Sequence, residues 1–256
     1  MRLLSFGDGV LPGVFSRHSS FAKAVNFERD GILVSVVSPQ AGGGPVNIVL
    51  DALAPFQTAG ELIIGRDFIA AGGCRIELDA AKLYNSRITL SADGFEKLRS
   101  SVKNIERCLL EHAPEKSLAV ILDGSRERFF TSSFDKALLA RAREVSEGEI
   151  WGFKGLGQGL TPSGDDFITG YLSAMSLAPG ARTEPVLERS LGANLLSNTF
   201  LRCAARGRYF AAMKNLITVS TEGGEIGPAV KQTVELGSTS GADTVAGFVF
   251  YFKMEA

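Results

Sequence analysis

The repeat period of the apolar residues changes near residue 92, and this change constrains the fold more than any other feature. Before it, short β-branched runs such as residues 31–38 alternate with glycine-rich turns about ten residues apart, which is typical of strands. After it, apolar residues over 95–109 recur at three- and four-residue steps, which is typical of helices. We therefore predict an α+β protein. A β-rich domain (an antiparallel sheet, sandwich or barrel) would span 1–92, and an α-helical domain 93–256.

Two segments require separate predictions. The apolar residues of 16–27 fit helical steps, which predicts a short amphipathic helix inside the β-rich part. The run 118–122 is too short for an ordinary helix and predicts a buried strand. The further predicted helices are 134–145, 161–177, 183–196, 199–216, 227–236 and 240–253.

Charge and hydropathy exclude several classes of protein. The net charge of the 256 residues is −1 and the basic residues are dispersed, which argues against nucleic acid or an anionic membrane surface as a partner. No apolar run approaches 18 residues, so we expect no membrane span. The three cysteines are far apart, which argues against structural zinc, and with no evident signal peptide they favour the cytoplasm.

A glycine-rich segment, residues 155–170, carries the strongest functional signal, because part of it occurs twice. The pattern Ser-Gly-x-Asp-x-x-x-Gly is present in both predicted helices 161–177 and 240–253. The shared positions are Ser163, Gly164, Asp166 and Gly170 in the first copy and Ser240, Gly241, Asp243 and Gly247 in the second.

The repeated pattern has two interpretations. In one, each Ser-x-x-Asp is a capping box that only starts a helix. In the other, the glycines four residues after Asp166 and Asp243 let the two helices pack closely. The helix N-termini would then meet, and the carboxyl groups would face one pocket.

Any ligand of this pocket would have to tolerate the negative charge of the aspartate carboxylates. A lone phosphate would be repelled by the carboxylates, whereas Mg²⁺ could bridge Asp166 and Asp243 to a phosphate. Alternatively, these two candidate catalytic residues could orient an amide or amine. Mg²⁺ is the one cofactor considered. The other candidate ligand-binding residues are Gly157, Gly159, Thr161, Ser163 and Gly164 as an anion cradle, Asp165, Ser240 and Gly241 beside it, and Lys154, Arg202 and Arg206 for the anionic end.

The string from Gly157 to Phe167, Gly-Gln-Gly-Leu-Thr-Pro-Ser-Gly-Asp-Asp-Phe, resembles the hallmark of a bacterial family, the AllH-like family of allantoin and purine breakdown. Three looser segments resemble the same family: residues 14–27, residues 198–207 and the second copy of the repeated pattern. Gln158 departs from the small residue or proline expected in the family's loop.

The resemblance implies a cytoplasmic subunit that works with other proteins of an oxamate carbamoyltransferase. Such a system interconverts oxamate plus carbamoyl phosphate with oxalurate plus phosphate. The implied ligand is a small anionic metabolite carrying a carboxylate, carbamoyl or phosphate group. Two alternatives stay open at this point: a stand-alone Mg²⁺-dependent hydrolase of a phosphate-containing ligand, and a non-catalytic assembly subunit.

Overall fold

The computed structural model describes residues 1–145 and 149–255 and confirms the predicted α+β class. Strands lie in the N-terminal part of the chain and helices in the C-terminal part. The chain forms two compact units. The first comprises Met1–Arg87 and the short segment Tyr209–Ala211, and the second comprises Ile88–Arg208 and the residues from Ala212 onward.

The first unit contains one mixed sheet and one short helix, α1 (Ala54–Thr58). In the described residues its strands are β1 (Leu3–Gly7), β2 (Gly13–Phe21), β3 (Ala24–Arg29), β4 (Ile32–Val37), β5 (Asn47–Leu50), β6 (Glu61–Ile64), β7 (Phe68–Ala71), β8 (Cys74–Glu77) and β9 (Leu83–Tyr84). Their order is β8-β7-β6-β2-β3-β4-β5-β1-β9. The sheet is not purely antiparallel, because β4 pairs with β5, and β1 with β9, in parallel.

The predicted helix over 16–27 is wrong, because these residues form most of the hairpin β2–β3. Phe15, Val25 and Phe27 are fully buried in the core, and in β2 the residues that flank Phe15, Val14 and Ser16, are exposed. Strand β2 pairs on one side with β3 and on the other with β6, so its backbone groups bond to neighbouring strands. Period-two burial and two pairing partners outweigh the coincidental helical spacing.

The second unit is helical, as predicted. Its helices are α2 (Ala92–His112), α3 (Ser133–Glu144), α4 (Ser163–Met175), α5 (Glu184–Ser190), α6 (Leu195–Ala205), α7 (Ala211–Glu222), α8 (Ile226–Val234) and α9 (Ser240–Met254). Short 3₁₀ helices occur in both units. Those of the first unit are Pro39–Ala41 and Ala80–Lys82, and those of the second are Leu118–Ile121, Gly124–Phe129 and Ile150–Phe153. No helix in the described part of the chain is long and apolar enough to cross a membrane.

Three of the helix-and-strand predictions for this unit are wrong. The predicted helix over 183–196 is interrupted, because α5 ends at Ser190 and α6 begins at Leu195. The predicted strand over 118–122 is the 3₁₀ helix Leu118–Ile121, which is largely buried but joins no sheet. The predicted helix over 199–216 is interrupted after α6, where Gly207 adopts a left-handed φ of +63°. The residues that follow extend the first unit instead, since Tyr209 N–H donates to the Ser86 carbonyl at 2.9 Å.

Candidate functional site

Helices α4 and α9 pack backbone against backbone through one glycine each. A Cβ on Gly170 would lie 1.8 Å from the carbonyl oxygen of Thr244, and one on Gly247 would lie 1.8 Å from that of Phe167. Any larger residue would therefore force the helices apart. The predicted packing through these glycines is confirmed, and it aligns the two copies of the pattern side by side.

Hydroxyl groups connect the N-termini of the two helices. Thr161 Oγ1 donates to Asp166 Oδ2 at 2.9 Å and lies 3.3 Å from Ser240 Oγ. Ser163 Oγ lies 3.4 Å from Thr239 Oγ1 on the other helix. We call this meeting point of the α4 and α9 N-termini, with the loop 155–161 beside it, the α4–α9 junction.

The capping-box interpretation of the two Ser-x-x-Asp patterns is wrong. The N-cap residues are Pro162 for α4 and Thr239 for α9, and neither side chain caps its helix. Each pattern serine is instead the first helical residue, where its hydroxyl does not reach the N3 amide. Neither aspartate therefore belongs to a capping box.

The glycine after each pattern serine admits another backbone segment of the protein. A Cβ on Gly164 would lie 1.9 Å from the Phe153 carbonyl oxygen, and one on Gly241 would lie 1.8 Å from that of Thr233. The Gly164 N–H also donates to the Leu156 carbonyl at 2.7 Å. In this structure the space beside both glycines is filled by protein.

The loop before α4 presents backbone donors that the protein does not use. Gly157 and Gly159 have φ values of +110° and +112°, which favour glycine strongly. Within residues 1–145 and 149–255, the N–H groups of 157–160 have no hydrogen-bond partner. The loop is fixed at its start, because the buried Asp165 accepts from Gly155 N–H through Oδ1 at 2.7 Å.

Asp166 and Asp243 are buried carboxyls with no cation beside them in the described structure. The pKa of Asp166 is raised to about 8, mainly because the carboxyl is buried. The nearby Asp243 contributes to this rise, whereas hydrogen bonds from the hydroxyls of Ser240 and Thr161 lower the pKa. Burial likewise raises the pKa of Asp243 to about 6. Near pH 7 the junction therefore favours one ionised and one protonated carboxyl.

The two oxygens of Asp243 differ in their surroundings. Oδ1 accepts from the Leu118 N–H at 2.6 Å, whereas Oδ2 is buried and has no hydrogen-bond partner in the described part of the chain. The hydroxyls of Ser163 and Thr239 are close enough to lower the pKa, but neither is in hydrogen-bonding geometry with Oδ2. This oxygen is thus an unused acceptor at the junction.

The region that builds the junction matches a known protein family. Residues 153–252 match the family model described as oxamate carbamoyltransferase subunit AllH. This match shows that residues 153–252 are similar to that family. It includes the glycine-rich loop and both copies of the repeated pattern. Searches of curated proteins and of solved structures gave no match.

The basic residues predicted to hold an anion lie elsewhere in this AllH-like region. Lys154 Nζ donates to the carbonyls of Arg189 and Leu191, at 3.0 Å each, and so stabilises the C-terminal end of α5. Arg202 is half-buried in α6, and Arg206 is the exposed residue that follows α6. Neither arginine has a polar contact with the junction in the described residues. The groups of the junction that could donate hydrogen bonds to an anion are therefore backbone N–H groups.

The donor set of the AllH-like junction does not fit a resident magnesium ion. Mg²⁺ requires near-octahedral oxygen ligands at about 2.0–2.1 Å. Asp243 Oδ1 and Asp166 Oδ2 already accept protein hydrogen bonds. The described residues contain no group of three or more His, Cys, Asp or Glu side chains that could hold a metal ion.

Sequence reasoning missed three contributors to the junction: Thr239, the Leu118 N–H and Asn194. Asn194 caps α6, accepting from Leu196 N–H at 3.0 Å, and its Nδ2 donates to the Leu160 carbonyl at 2.7 Å. It therefore ties the glycine-rich loop to a third helix N-terminus. An asparagine before an apolar helical run is a recognisable cap signal, whereas the Leu118 contact joins residues 125 positions apart.

Proposed function

We propose that this chain is a subunit of an oxamate carbamoyltransferase-type system that binds a small carboxylate, carbamoyl or phosphate ligand at the α4–α9 junction. The family description supports the first part of this proposal. One observation carries the second. Two buried carboxyls without a cation lie beside a loop whose backbone N–H groups are unused.

The energetic cost of that arrangement argues for a functional role. Burying a carboxylate without a paired charge is unfavourable unless other groups compensate. Gly170 and Gly247 permit the close packing that creates the junction. The sequence therefore keeps two carboxyls buried although their burial is unfavourable. Carboxyls with strongly raised pKa values are characteristic of functional sites.

The junction offers complementary groups to the two ends of such a ligand. The unused N–H groups of 157–160 can donate hydrogen bonds to an anionic end, and Asp166 or Asp243 can accept one from an amide N–H and so orient it. Carbamoyl transfer also requires the phosphate leaving group to be neutralised. Because the described basic side chains do not contact the junction, we propose that other subunits of the complex contribute that positive charge. The proposed compartment is the cytoplasm.

Isothermal titration calorimetry on the full chain tests the proposed site. We expect saturable heats with oxamate, carbamoyl phosphate or both, and loss of that binding in Gly157→Val, whose side chain would collide with Ser163. A matched control is Gly124→Ala, because a Cβ there meets no atom within 4 Å. No saturable binding of either compound would contradict the proposed site and would favour a purely assembling subunit.

A further inference from the structure

We infer that Asp243 is the specificity residue of the α4–α9 junction: its Oδ2 accepts a hydrogen bond from a primary amide of the ligand, so the site selects amide-bearing acids over the matching diacids. This inference rests on the proposed function and deepens it, because the family description assigns no residue that recognises the amide. A predicted ligand therefore carries an –NH₂ group at one end and an anionic group at the other.

The geometry of Asp243 points to a missing donor. The residue is 0% exposed, and its Oδ2 is the single carboxylate oxygen in the described residues that is both buried and unpartnered. Leaving a buried acceptor unsatisfied costs free energy that an incoming donor would recover. The partner that this oxygen lacks is therefore an N–H or O–H group, and the proposed amide ligand supplies the former.

The ligand's proposed route to this oxygen passes between two hydroxyls. Ser163 Oγ and Thr239 Oγ1, which both interact with the Asp243 carboxyl, lie 3.4 Å apart, and this is longer than the 2.7–2.8 Å typical of O–H···O bonds. This weak contact is the least costly link of the junction to replace. The firmer links, Leu118 N–H to Asp243 Oδ1 at 2.6 Å and Thr161 to Asp166 at 2.9 Å, can persist and hold both carboxyls in place.

The same geometry disfavours the competing ligand groups. A second carboxylate at this position would face Asp243 without an intervening donor, and like charges at hydrogen-bond distance repel strongly in a buried site. A divalent cation needs several oxygen ligands, whereas Asp243 Oδ1 and Asp166 Oδ2 are already engaged in protein hydrogen bonds. A primary amide satisfies the oxygen without adding charge.

The test compares oxamate with oxalate, which differ only by –NH₂ in place of a carboxylate oxygen. Calorimetry is run on the full chain at pH 7.5, once with EDTA and once with MgCl₂. We expect oxamate to bind at least about tenfold more tightly than oxalate in EDTA, because one charge-assisted hydrogen bond is gained and one repulsion avoided. Asp243→Asn should abolish or reverse this preference, since its own –NH₂ favours an acceptor.

Asp135→Asn is the matched control, because Asp135 is also a first-turn aspartate but serves its own helix α3. Its oxamate-to-oxalate ratio should equal that of the unchanged chain. The comparison of the two ligands on the unchanged chain does not depend on any variant folding, and thermal melts establish that both variants fold.

The outcomes separate the inference from the proposed function. Equal or tighter binding of oxalate, an unchanged ratio in a folded Asp243→Asn, or binding that requires MgCl₂ would each overturn the inference while leaving a ligand site in place. Absence of binding by oxamate, oxalate and carbamoyl phosphate would instead contradict the proposed function itself.

Discussion

The N-terminus of helix α3 and the α4–α9 junction use the same Ser-x-x-Asp spacing in opposite ways. In α3, Ser132 accepts from the Asp135 N–H and Asp135 accepts from the Ser132 N–H, which completes a capping box. Lys116 donates to Asp135 and, with those bonds, lowers the pKa of its carboxyl to about 2. In α4, Asp166 is buried, its serine caps nothing and its pKa is raised.

The comparison shows that the environment, rather than the local pattern, decides what a first-turn aspartate does. Only the α4 and α9 copies have glycine directly after the serine, and this glycine brings a neighbouring backbone against the first turn. Close packing removes water from the carboxyl, and removal of water favours its protonated form. The α3 carboxyl keeps a basic partner and its charge.

The largest expected effect follows from filling the helix contact. Gly170→Ala should lower the free energy of unfolding by about 3 kcal/mol or more, because its Cβ would overlap the Thr244 carbonyl. Urea denaturation measures this change. Gly124→Ala, where a Cβ meets nothing within 4 Å, should stay within about 0.5 kcal/mol of the unchanged chain. Equal effects of the two substitutions would show that the α4–α9 contact is not tight.

The second prediction concerns the pH dependence of stability, to which Asp166 and Asp135 should contribute with opposite sign. Folded Asp166 has a raised pKa, so its native state binds more protons than the unfolded chain. Its favourable contribution to stability is complete below pH 3.8, the ordinary pKa of an aspartate, and is lost as the pH rises towards about 8, with a limiting slope of about 1.4 kcal/mol per pH unit. Asp135, whose pKa is lowered, contributes above 3.8 and loses its contribution as the pH falls towards about 2.

Urea titrations between pH 6 and pH 8 measure the Asp166 effect, because Asp243, whose pKa is raised to about 6, contributes to the slope mainly at lower pH. We expect the free energy of unfolding to fall over this range in the unchanged chain and to fall much less in Asp166→Asn, which cannot ionise. The Asp135→Asn chain should keep the slope of the unchanged chain in the same window. A slope that survives Asp166→Asn would assign the effect to another group.

A third, smaller effect on stability is expected from the Thr161 hydroxyl, which joins the loop to α4 and α9. Thr161→Val should cost about 1 to 1.5 kcal/mol, because the shape is kept while the hydrogen bond to Asp166 is lost. The pKa of Asp166 should rise further, since the Thr161 hydroxyl lowers it. Thermal or urea unfolding at pH 6 measures the first change. Thr131→Val, at an exposed position, should be nearly neutral.

The smallest effect compares the serines of the two regions directly. Ser132→Ala should cost about 1 kcal/mol, the usual value for loss of an N-cap. Ser163→Ala should cost less than about 0.5 kcal/mol, because Ser163 does not cap α4. Urea denaturation of both variants decides the matter, and the reverse order would restore the capping-box interpretation of the repeated pattern.

Much of the fold could be predicted from the sequence, because periodicity is a local property. The change from strands to helices and the positions of α2, α4 and α9 follow from the spacing of apolar residues. The failures occur where local spacing is ambiguous. The hairpin β2–β3 and the 3₁₀ helix Leu118–Ile121 depend on partners distant in sequence. The division into domains at residue 92 and the roles of the site residues stay predictions.

The sequence by itself determined that two glycine-spaced helices could pack together and that their aspartates would lie at one end. Helical geometry places Asp and Gly, four residues apart, on one face, so this conclusion needs no tertiary information. Only the tertiary structure decided that the pattern serines do not cap their helices and that Asp243 Oδ2 lacks a partner in the described residues. It also decided that Lys154 binds the end of α5, and that Arg202 and Arg206 lie away from the junction. Burial, pKa and hydrogen-bond satisfaction depend on residues far apart in the chain, and spacing within one helix does not specify them.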